Sequence, residues 1–324
     1  MIQSSYMNNS LLAIKSYLRK PKLLITHSGS FHADDVMACA ILQIYFSSIG
    51  YRTKIIRTRD QNIFPTGDVV FDVGGIRNDE ENRFDHHQPG GAGARANGVP
   101  YSSVGLVWRK FGPLLCQGCE QLIEKIDQEI IQYIDARDNG YDLTDEQKPD
   151  GTESFYASFY MIERSTWKES LDEDDTAILK RFKRAVKKAQ CFFKRYFEIN
   201  RVNIEAAEKI KKIYQNSSDK KVLIFDQNFT RTVFVANLVN FTEPLIYIYP
   251  DRAGTYSVEV VPKNFGTFEH RISFPAAWAG LHDTELEKVS GIPELIFCHN
   301  KGFLCKTKNL ESAKKVAAIA LENQ

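Results

Sequence analysis

Apolar runs and amphipathic runs alternate along the first quarter of the chain. Residues 22–26 (KLLIT), 54–58 (KIIRT) and 68–75 (DVVFDVGG) are rich in β-branched side chains, which favours strands. Residues 33–50 (ADDVMACAILQIYFSSIG) instead repeat apolar positions at helical spacing. The alternation predicts an α/β domain whose mainly parallel sheet is flanked by helices, with sites at the carboxyl ends of the strands.

A longer helical pattern covers residues 101–112 and 120–140. In the second segment, positions spaced by four carry three isoleucines and then an aspartate: Ile126, Ile130, Ile134 and Asp138. Asp138 is therefore predicted to point inward, where an unpaired carboxylate is unfavourable. Asp135, taken alone, is expected at the surface.

The second half of the chain begins with an acidic stretch over residues 142–175 and a basic helical stretch over residues 180–221. From residue 221 the pattern changes to that of strands, and residues 310–323 predict a closing helix. The predicted strands cover residues 221–225, 231–239, 244–250, 256–262 and 294–300. We expect a second, smaller α/β or α+β domain, with a cleft between the two domains.

Length and composition fit a globular protein of two domains. The chain has 324 residues, and its formal net charge of +1 gives no general attraction to nucleic acid or membranes. Six scattered cysteines and the lack of any apolar run of about 18 residues predict an intracellular protein with reduced thiols and no membrane partner. The basic stretch before Asp34 resembles a transit peptide weakly, so cytoplasm, nucleus and mitochondrion all remain open.

Histidines are concentrated near the start of the chain. Four of the seven lie within the first 87 residues, each close to an aspartate at a predicted strand end or loop. They are His27, His32, His86 and His87. Sites that mix imidazole and carboxylate ligands suit manganese, cobalt, iron or zinc.

Aspartates complete this pattern. Asp34 and Asp35 begin a predicted helix, whose free N–H groups favour carboxylates. Asp72 ends an apolar strand, where burial is unfavourable unless a cation compensates the charge. Asp85 precedes the adjacent histidines in RFDHHQ. A helix-start charge would explain Asp34 alone, and a loop hydrogen bond would explain His27 alone, but the joint pattern favours metal.

About seven candidate ligands on four segments are enough for two ions that share a carboxylate. Two ions about 3.5 to 4 Å apart stabilise the attacking and leaving oxygens of an in-line phosphoryl displacement. For the adjacent histidines, this chemistry suggests that one binds metal while its neighbour faces the substrate phosphate.

The chain resembles the MYG family (melanocyte proliferating gene family), relatives of the DHH phosphoesterases that include RecJ-type nucleases. The resemblance lies in THSGSFHADDVMACAIL, FDVGG, RFDHHQ, NGVPYSSVGLVWRKFG, IDARDNG and the later WAGLHDTELEKVSGIPELIFCHNKGFL. It implies a DHH-like domain and a manganese-dependent phosphodiesterase, with 3′–5′ exonuclease activity on RNA and mitochondrial and nuclear locations.

The resemblance also implies individual roles. The implied ligands are His27 and His32 for one ion, Asp34, His86 and Asp138 for the other, and Asp72 as the bridge. Asp85 would orient an imidazole, and His87 would contact the scissile phosphate. The attack would come from a water activated by two Mn²⁺ ions, with Mg²⁺ or Co²⁺ as alternatives. Asp35 stands where relatives often carry glutamate, so its role stays open.

With this resemblance, each predicted region has an expected task. They are residues 1–21 (N-terminal extension), 22–150 (DHH-like metal-binding catalytic domain), 151–220 (helical bridging region) and 221–324 (C-terminal substrate-binding domain). In the last of these, four candidates would hold a phosphate or a terminal nucleotide through a guanidinium, an imidazole or backbone N–H groups. They are Arg271, Ser290, Gly291 and His299.

The basic stretch has two explanations. Residues 180–221 contain fourteen Lys and Arg but four Asp and Glu. Aromatic residues lie between these charges, a pattern typical of proteins that bind single-stranded nucleic acid. The aromatics also fall at core spacing, which favours an ordinary solvated face. We expect a nuclease acting on single-stranded RNA or oligonucleotides. A nucleotide or pyrophosphate phosphohydrolase and a non-catalytic RNA-binding protein remain open, as does the oligomeric state, a homodimer included.

Overall fold

The computed structural model describes residues 19–143, 161–267 and 269–322. The chain divides into two compact units, Met1–Asn200 and Arg201–Gln324. No helix of the described ranges is long and apolar enough to cross a membrane. Most of the predicted N-terminal extension, and residues 144–160 of the acidic stretch, lie outside the described residues.

The first unit contains a five-stranded sheet in the order β2-β1-β3-β5-β4. Its strands are β1 (Lys22–Thr26), β2 (Thr53–Arg57), β3 (Val69–Phe71), β4 (Arg77–Asn78) and β5 (Arg83–Phe84). Strands β2, β1, β3 and β5 are parallel, while β4 pairs antiparallel with β5. The mainly parallel sheet is thus confirmed, and the carboxyl ends of β1, β3 and β5 meet at one edge.

Helices surround this sheet. They are α1 (Ala33–Ser48), α2 (Ser103–Leu115), α3 (Glu120–Ile126) and α4 (Gln132–Asp138), and the π-helical turn Asp127–Ile131 joins α3 to α4. Helix α1 packs against α2, α4, β1 and β2. Because it has neighbours on so many sides, every residue from Val36 to Leu42 is fully buried.

The long helix α5 (Asp175–Asn216) contains the predicted basic stretch, and the division between the units falls inside it. Phe182, Val186 and Phe193 are buried on one face. Lys183 and Lys187 are exposed. The helical period therefore has its ordinary cause, an apolar face that packs and a charged face in solvent, as the core spacing of the aromatics predicted.

The second unit is built on a mainly antiparallel sheet in the order β6-β7-β8-β10-β9. Its strands are β6 (Val222–Ile224), β7 (Ile246–Pro250), β8 (Tyr256–Val260), β9 (Leu295–Cys298) and β10 (Leu304–Thr307). Its helices are α6 (Arg231–Leu238), α7 (Asp283–Ser290) and α8 (Leu310–Glu322). Only β6 and β7 pair in parallel, which makes this unit the α+β form of the two that the sequence allowed.

One predicted strand is wrong. Of residues 231–239, predicted as a strand, Arg231–Leu238 form helix α6 instead, although the segment is rich in β-branched and aromatic side chains. The parallel strands β6 and β7 require a crossover connection, which is usually a helix. Phe234 and Leu238, four residues apart, are fully buried in this arrangement. Tertiary packing has overridden the local propensity.

Asp135 is also misplaced by the sequence pattern, because it is fully buried rather than at the surface. Its carboxylate lies 2.8 Å from Arg95 Nη1 and accepts hydrogen bonds from Ser102 Oγ (2.6 Å) and the backbone N–H of Gly105 (3.0 Å). Arg95 also binds both carboxylate oxygens of Asp127, in the π-helical turn, at 2.7 Å. This buried network fixes the loop before α2 to helix α4.

Replacing Arg95 with methionine is expected to destabilise the protein, because Asp135 would stay buried without its cation. Burial raises the pKa of Asp135 to about 6 even beside Arg95. In the Arg95→Met variant, the pKa of Asp135 in the folded state rises further. Folding then requires a proton on Asp135 up to a higher pH, so the loss of stability relative to wild type grows as pH rises. We expect a loss of about 3 kcal/mol at pH 8 and a smaller loss at pH 5 in urea unfolding.

The double variant Arg95→Met/Asp135→Asn is the matched control, since it removes the buried charge together with its partner. Because the wild type itself loses stability between pH 5 and pH 8 as Asp135 ionises with a pKa of about 6, the double variant should gain stability relative to wild type over this range, opposite to the single variant. Equal destabilisation of the single variant at both pH values would contradict a buried carboxylate that depends on Arg95.

Candidate metal centre

A cavity of about 1280 Å³ opens at the carboxyl edge of the first sheet. A polar residue follows each of three parallel strands there: His27 after β1, Asp72 after β3 and Asp85 after β5. The ends of two helices add His32 before α1 and Asp138 at the end of α4. The four segments singled out in the sequence therefore meet in one place.

Asp72 lies at the centre of these side chains. Its Oδ2 is 3.2 Å from His27 Nε2, and its Oδ1 is 3.3 Å from His86 Nε2. The backbone φ of Asp72 is 56°, in the left-handed region, and Gly74 follows with a φ of 106°. A non-glycine residue persists in that region only where its surroundings impose it, and such strain clusters at functional sites.

Asp138 and Asp34 lie on the helical side of the cavity. Asp138 Oδ2 is 3.2 Å from His86 Nε2, and its side chain is 17% exposed, so it points inward as predicted. Asp34 is fully buried and accepts a hydrogen bond from Ser103 Oγ at 2.9 Å. Helices α1, α2 and α4 thus supply the side chains that face the strand ends.

Among the residues that the structure describes, three groups of side chains each bring their ligand atoms within 4.8 Å of one another. They are His27, His32 and Asp72; Asp72, His86 and His87; and His32, Asp34 and Asp138. Asp72 belongs to two groups and so has the position that a bridging ligand needs. His32 is also shared, and His87 stands among the possible ligands; neither arrangement was expected from the sequence.

The two adjacent histidines differ in their surroundings. Asp85 accepts hydrogen bonds from the backbone N–H of His86 (2.7 Å) and of His87 (3.2 Å), and also contacts His87 Nδ1 at 2.7 Å. His86 is buried against Asp72, whereas the His87 side chain is 62% exposed. One imidazole therefore faces the carboxylates, and the other is held by Asp85 at the solvent side.

Residues 23–321 match the MYG1 exonuclease family, whose description reads "Uncharacterised protein family (UPF0160)". This match spans nearly the whole chain. The chain belongs to the MYG1 exonuclease family. The resemblance seen in its sequence segments is thereby confirmed.

Relatives in the family are similar over most of their length. The MYG1 exonuclease of Homo sapiens is 30% identical over 95% of this chain and 88% of its own, and that of Rattus norvegicus is 30% identical over 95% and 86%. The MYG1 protein of Dictyostelium discoideum is 29% identical over 92% and 96%.

Among solved structures, RecJ in complex with Mn²⁺ from Thermus thermophilus is 13% identical, with a TM-score of 0.28, over 97% of this chain and 54% of its own. Exonuclease RecJ bound to manganese is 13% identical, with a TM-score of 0.29, over 96% and 93%. Both scores are low, and family membership rests on the sequence match.

Electrostatics in this family member favour an imidazolium–carboxylate pair when no metal is bound. Burial opposes charge on both partners, but the carboxylates of Asp35 and Asp72, at 3.3 and 3.2 Å from Nε2, outweigh it and raise the pKa of His27 to about 10. Burial likewise opposes charge on Asp72, whose pKa nevertheless falls to about 2 because of His27 and His86. Positive charge at this centre is strongly favoured.

The negative charges of two further carboxylates, those of Asp34 and Asp138, are not fully compensated by neighbouring positive charges. Burial, followed by the negative charge of Asp72, raises the pKa of Asp34 well above its usual value and also raises the pKa of Asp138. Both shifts have the causes expected when a carboxylate is buried beside a like charge. Added cations would relieve this repulsion.

The donor atoms present fit divalent metal ions. Over the described part of the chain, several buried atoms of this centre lack a hydrogen-bond partner. They are His27 Nε2, Asp34 Oδ1, Asp35 Oδ2, Asp72 Oδ1 and His86 Nε2. Buried polar atoms without partners are rare and unfavourable, and imidazole nitrogens with carboxylate oxygens are a donor set for manganese and related metals.

Asp35, whose role the sequence left open, is also part of this centre. It is fully buried, with Oδ2 at 3.3 Å from His27 Nε2 and Oδ1 accepting the backbone N–H of His32 at 2.9 Å. Arg57 Nη2 lies 3.8 Å from its Oδ2. Asp35 therefore caps α1 and fixes His27 at the same time. The only sequence signal was the doublet Asp34–Asp35 itself.

The predicted substrate-binding residues have structural partners within the second unit. Arg271 donates three hydrogen bonds of 2.8 to 3.3 Å to carbonyls of residues 239–244. Gly291, with a φ of 68°, ends α7 after Ser290, and its N–H is bonded to the helix. His299 packs on a phenylalanine ring and accepts a backbone N–H through Nδ1. Their role in substrate binding stays a prediction.

Binding of Mn²⁺ is expected to strengthen as pH rises, because a proton on His27 competes for Nε2. With a metal-free pKa of about 10, His27 carries that proton at neutral pH, and the ion has to displace it. Each displaced proton changes the apparent affinity about tenfold per pH unit. Calorimetric titrations at pH 6.5, 7.5 and 8.5 measure this slope, with Asp72→Asn as a variant that should bind weakly throughout. An affinity of the wild type that does not change with pH would contradict His27 as a ligand.

Proposed function

We propose that this protein is a metal-dependent 3′–5′ exonuclease that acts on single-stranded RNA. The observation that carries the proposal is the place of Asp72, buried between His27 Nε2 at 3.2 Å and His86 Nε2 at 3.3 Å. Relatives named MYG1 exonuclease support the nuclease activity. The RNA substrate and the polarity come from the family resemblance alone.

The centre would hold two Mn²⁺ ions, with Mg²⁺ or Co²⁺ as alternatives. The residues that would hold them are His27 and His32 on one side, Asp34, His86 and Asp138 on the other, and Asp72 between them. Such ions supply the positive charge that activates a water molecule and neutralises the phosphoryl oxygens. The buried atoms without hydrogen-bond partners belong largely to this same set.

His87 would act on the substrate itself. Its Nδ1 is 2.7 Å from Asp85 Oδ1, so the ring is oriented and Nε2 is left for the cavity. From there Nε2 would donate a hydrogen bond to an oxygen of the scissile phosphate. Asp85 also accepts the N–H of Gly75, which ties the loop after β3 to the same carboxylate.

The walls of the cavity favour a nucleotide over a small phosphate. Its volume of about 1280 Å³ exceeds what a phosphate group needs. Phe64 and Tyr133 line it beside the polar floor. An aromatic wall next to a phosphate-handling centre would accommodate a sugar and a base, which single-strand binders hold by stacking.

Hydrolysis of a 5′-labelled single-stranded RNA by metal-stripped protein tests the proposal. Restoring Mn²⁺ should produce a ladder that shortens from the 3′ end, while chelator alone should give none, because the ions activate the water. A ladder from the 5′ end would refute the polarity. RNA left intact with Mn²⁺, Mg²⁺ and Co²⁺, together with release of phosphate from nucleotides or pyrophosphate, would refute the exonuclease.

Asp72→Ala and His86→Ala are each expected to lower hydrolysis at least about 1000-fold, because each removes a ligand on which the ions depend. Asp79→Ala is the control, since Asp79 is a partly exposed aspartate of the same unit that does not line the cavity. Circular dichroism and thermal unfolding establish that the variants fold. Turnover like wild type in either ligand variant would exclude this metal assignment.

A further inference from the structure

Arg59 is an exposed arginine at the cavity, and it has no role among the candidate metal ligands. It lines the cavity, and its Nη2 lies 3.3 Å from His27 Nδ1. None of the described carboxylates forms an ion pair with it. A guanidinium is always charged and only donates hydrogen bonds, so Arg59 is suited to an anion.

The contact with His27 does not satisfy the hydrogen-bond donors of the Arg59 guanidinium. His27 Nδ1 is also 3.1 Å from the carbonyl oxygen of Ser28. One imidazole nitrogen either donates its N–H to that carbonyl or accepts from Arg59, and it cannot do both. When His27 uses Nε2 as a ligand, Nδ1 keeps the hydrogen and donates it to Ser28. The donors of Arg59 are then available to a molecule in the cavity.

Arg57, two residues earlier, differs from Arg59 because its guanidinium is bound by the protein itself. It donates hydrogen bonds to the carbonyls of Gly29 (3.0 Å) and Ser30 (3.2 Å). Its guanidinium also lies 4.7 Å from the ring centroid of Phe182. Arg57 is therefore part of the scaffold that holds the loop after β1, whereas Arg59 reaches the cavity from the same strand end.

We infer that Arg59 binds a phosphate oxygen of the substrate beside His27. The inference rests on the proposed function and deepens it, because it names a residue that recognises the phosphodiester. Arg137 is the other exposed arginine that lines the cavity, but it contacts no candidate ligand in the described ranges. It serves as the charge-matched comparison, because it carries the same charge at the same cavity without a contact to His27 in the described ranges.

Calorimetric titration of the Mn²⁺-loaded protein with adenosine 5′-monophosphate tests the inference without requiring hydrolysis. Arg59→Ala is expected to weaken binding about 10- to 100-fold, because charged hydrogen bonds to phosphate are lost. Arg59→Lys should recover part of that loss. Arg137→Ala, which removes the same charge from the same cavity, should change the affinity about twofold. The affinity for Mn²⁺ should stay within about threefold in Arg59→Ala.

Several results would overturn the inference. They are absence of nucleotide binding by the wild type, equal binding by wild type and Arg59→Ala, and an equal loss in Arg137→Ala. A weakened affinity for Mn²⁺ with unchanged nucleotide affinity of the loaded Arg59→Ala variant would make Arg59 a positioning residue for His27 instead. Nucleotide binding that depends on Arg59, without hydrolysis of RNA, would refute the exonuclease and leave the assignment of Arg59 intact.

Discussion

The first unit depends on one electrostatic constraint, the burial of several carboxylates within reach of one another. Asp34 and Asp35 are fully buried and Asp72 is 3% exposed. Like charges at such short range in a poorly solvated place are tolerated only with cations or protons beside them. The parallel strands, the start of α1 and the imidazoles of His27 and His86 are arranged around this requirement.

Buried aspartates in this unit carry out two different tasks. Asp72 lines the cavity, and its Oδ1 is buried without a hydrogen-bond partner, which is how a metal ligand is disposed. Asp85 and Asp135 instead accept several hydrogen bonds, including backbone N–H donors, and so organise the chain around them. Charge and burial alone therefore do not distinguish a ligand from a structural carboxylate. The number of hydrogen-bond donors around each carboxylate does distinguish them.

The sequence predicted best where a rule of topology links distant residues. His27 and Asp72 were expected together because each comes at the end of a β-rich run, and parallel strands end at one edge. The burial of Asp135 was missed because it depends on Arg95, forty residues earlier in the chain. Residues 231–239 were misread because their composition suits a strand, while the pairing of β6 with β7 requires a helix. Arg59 belongs to no periodic pattern, so only the cavity reveals it.

The π-helical turn between α3 and α4 has a consequence for how this segment tolerates changes in length. A π turn holds one residue more than an α turn, and each residue rotates the following helix by about 100°. Asp135 and Asp138 both lie beyond this turn, one in the buried network and one at the cavity. A deletion of one residue within Asp127–Ile131 would swing both carboxylates away together. The length of this segment therefore determines the position of both carboxylates.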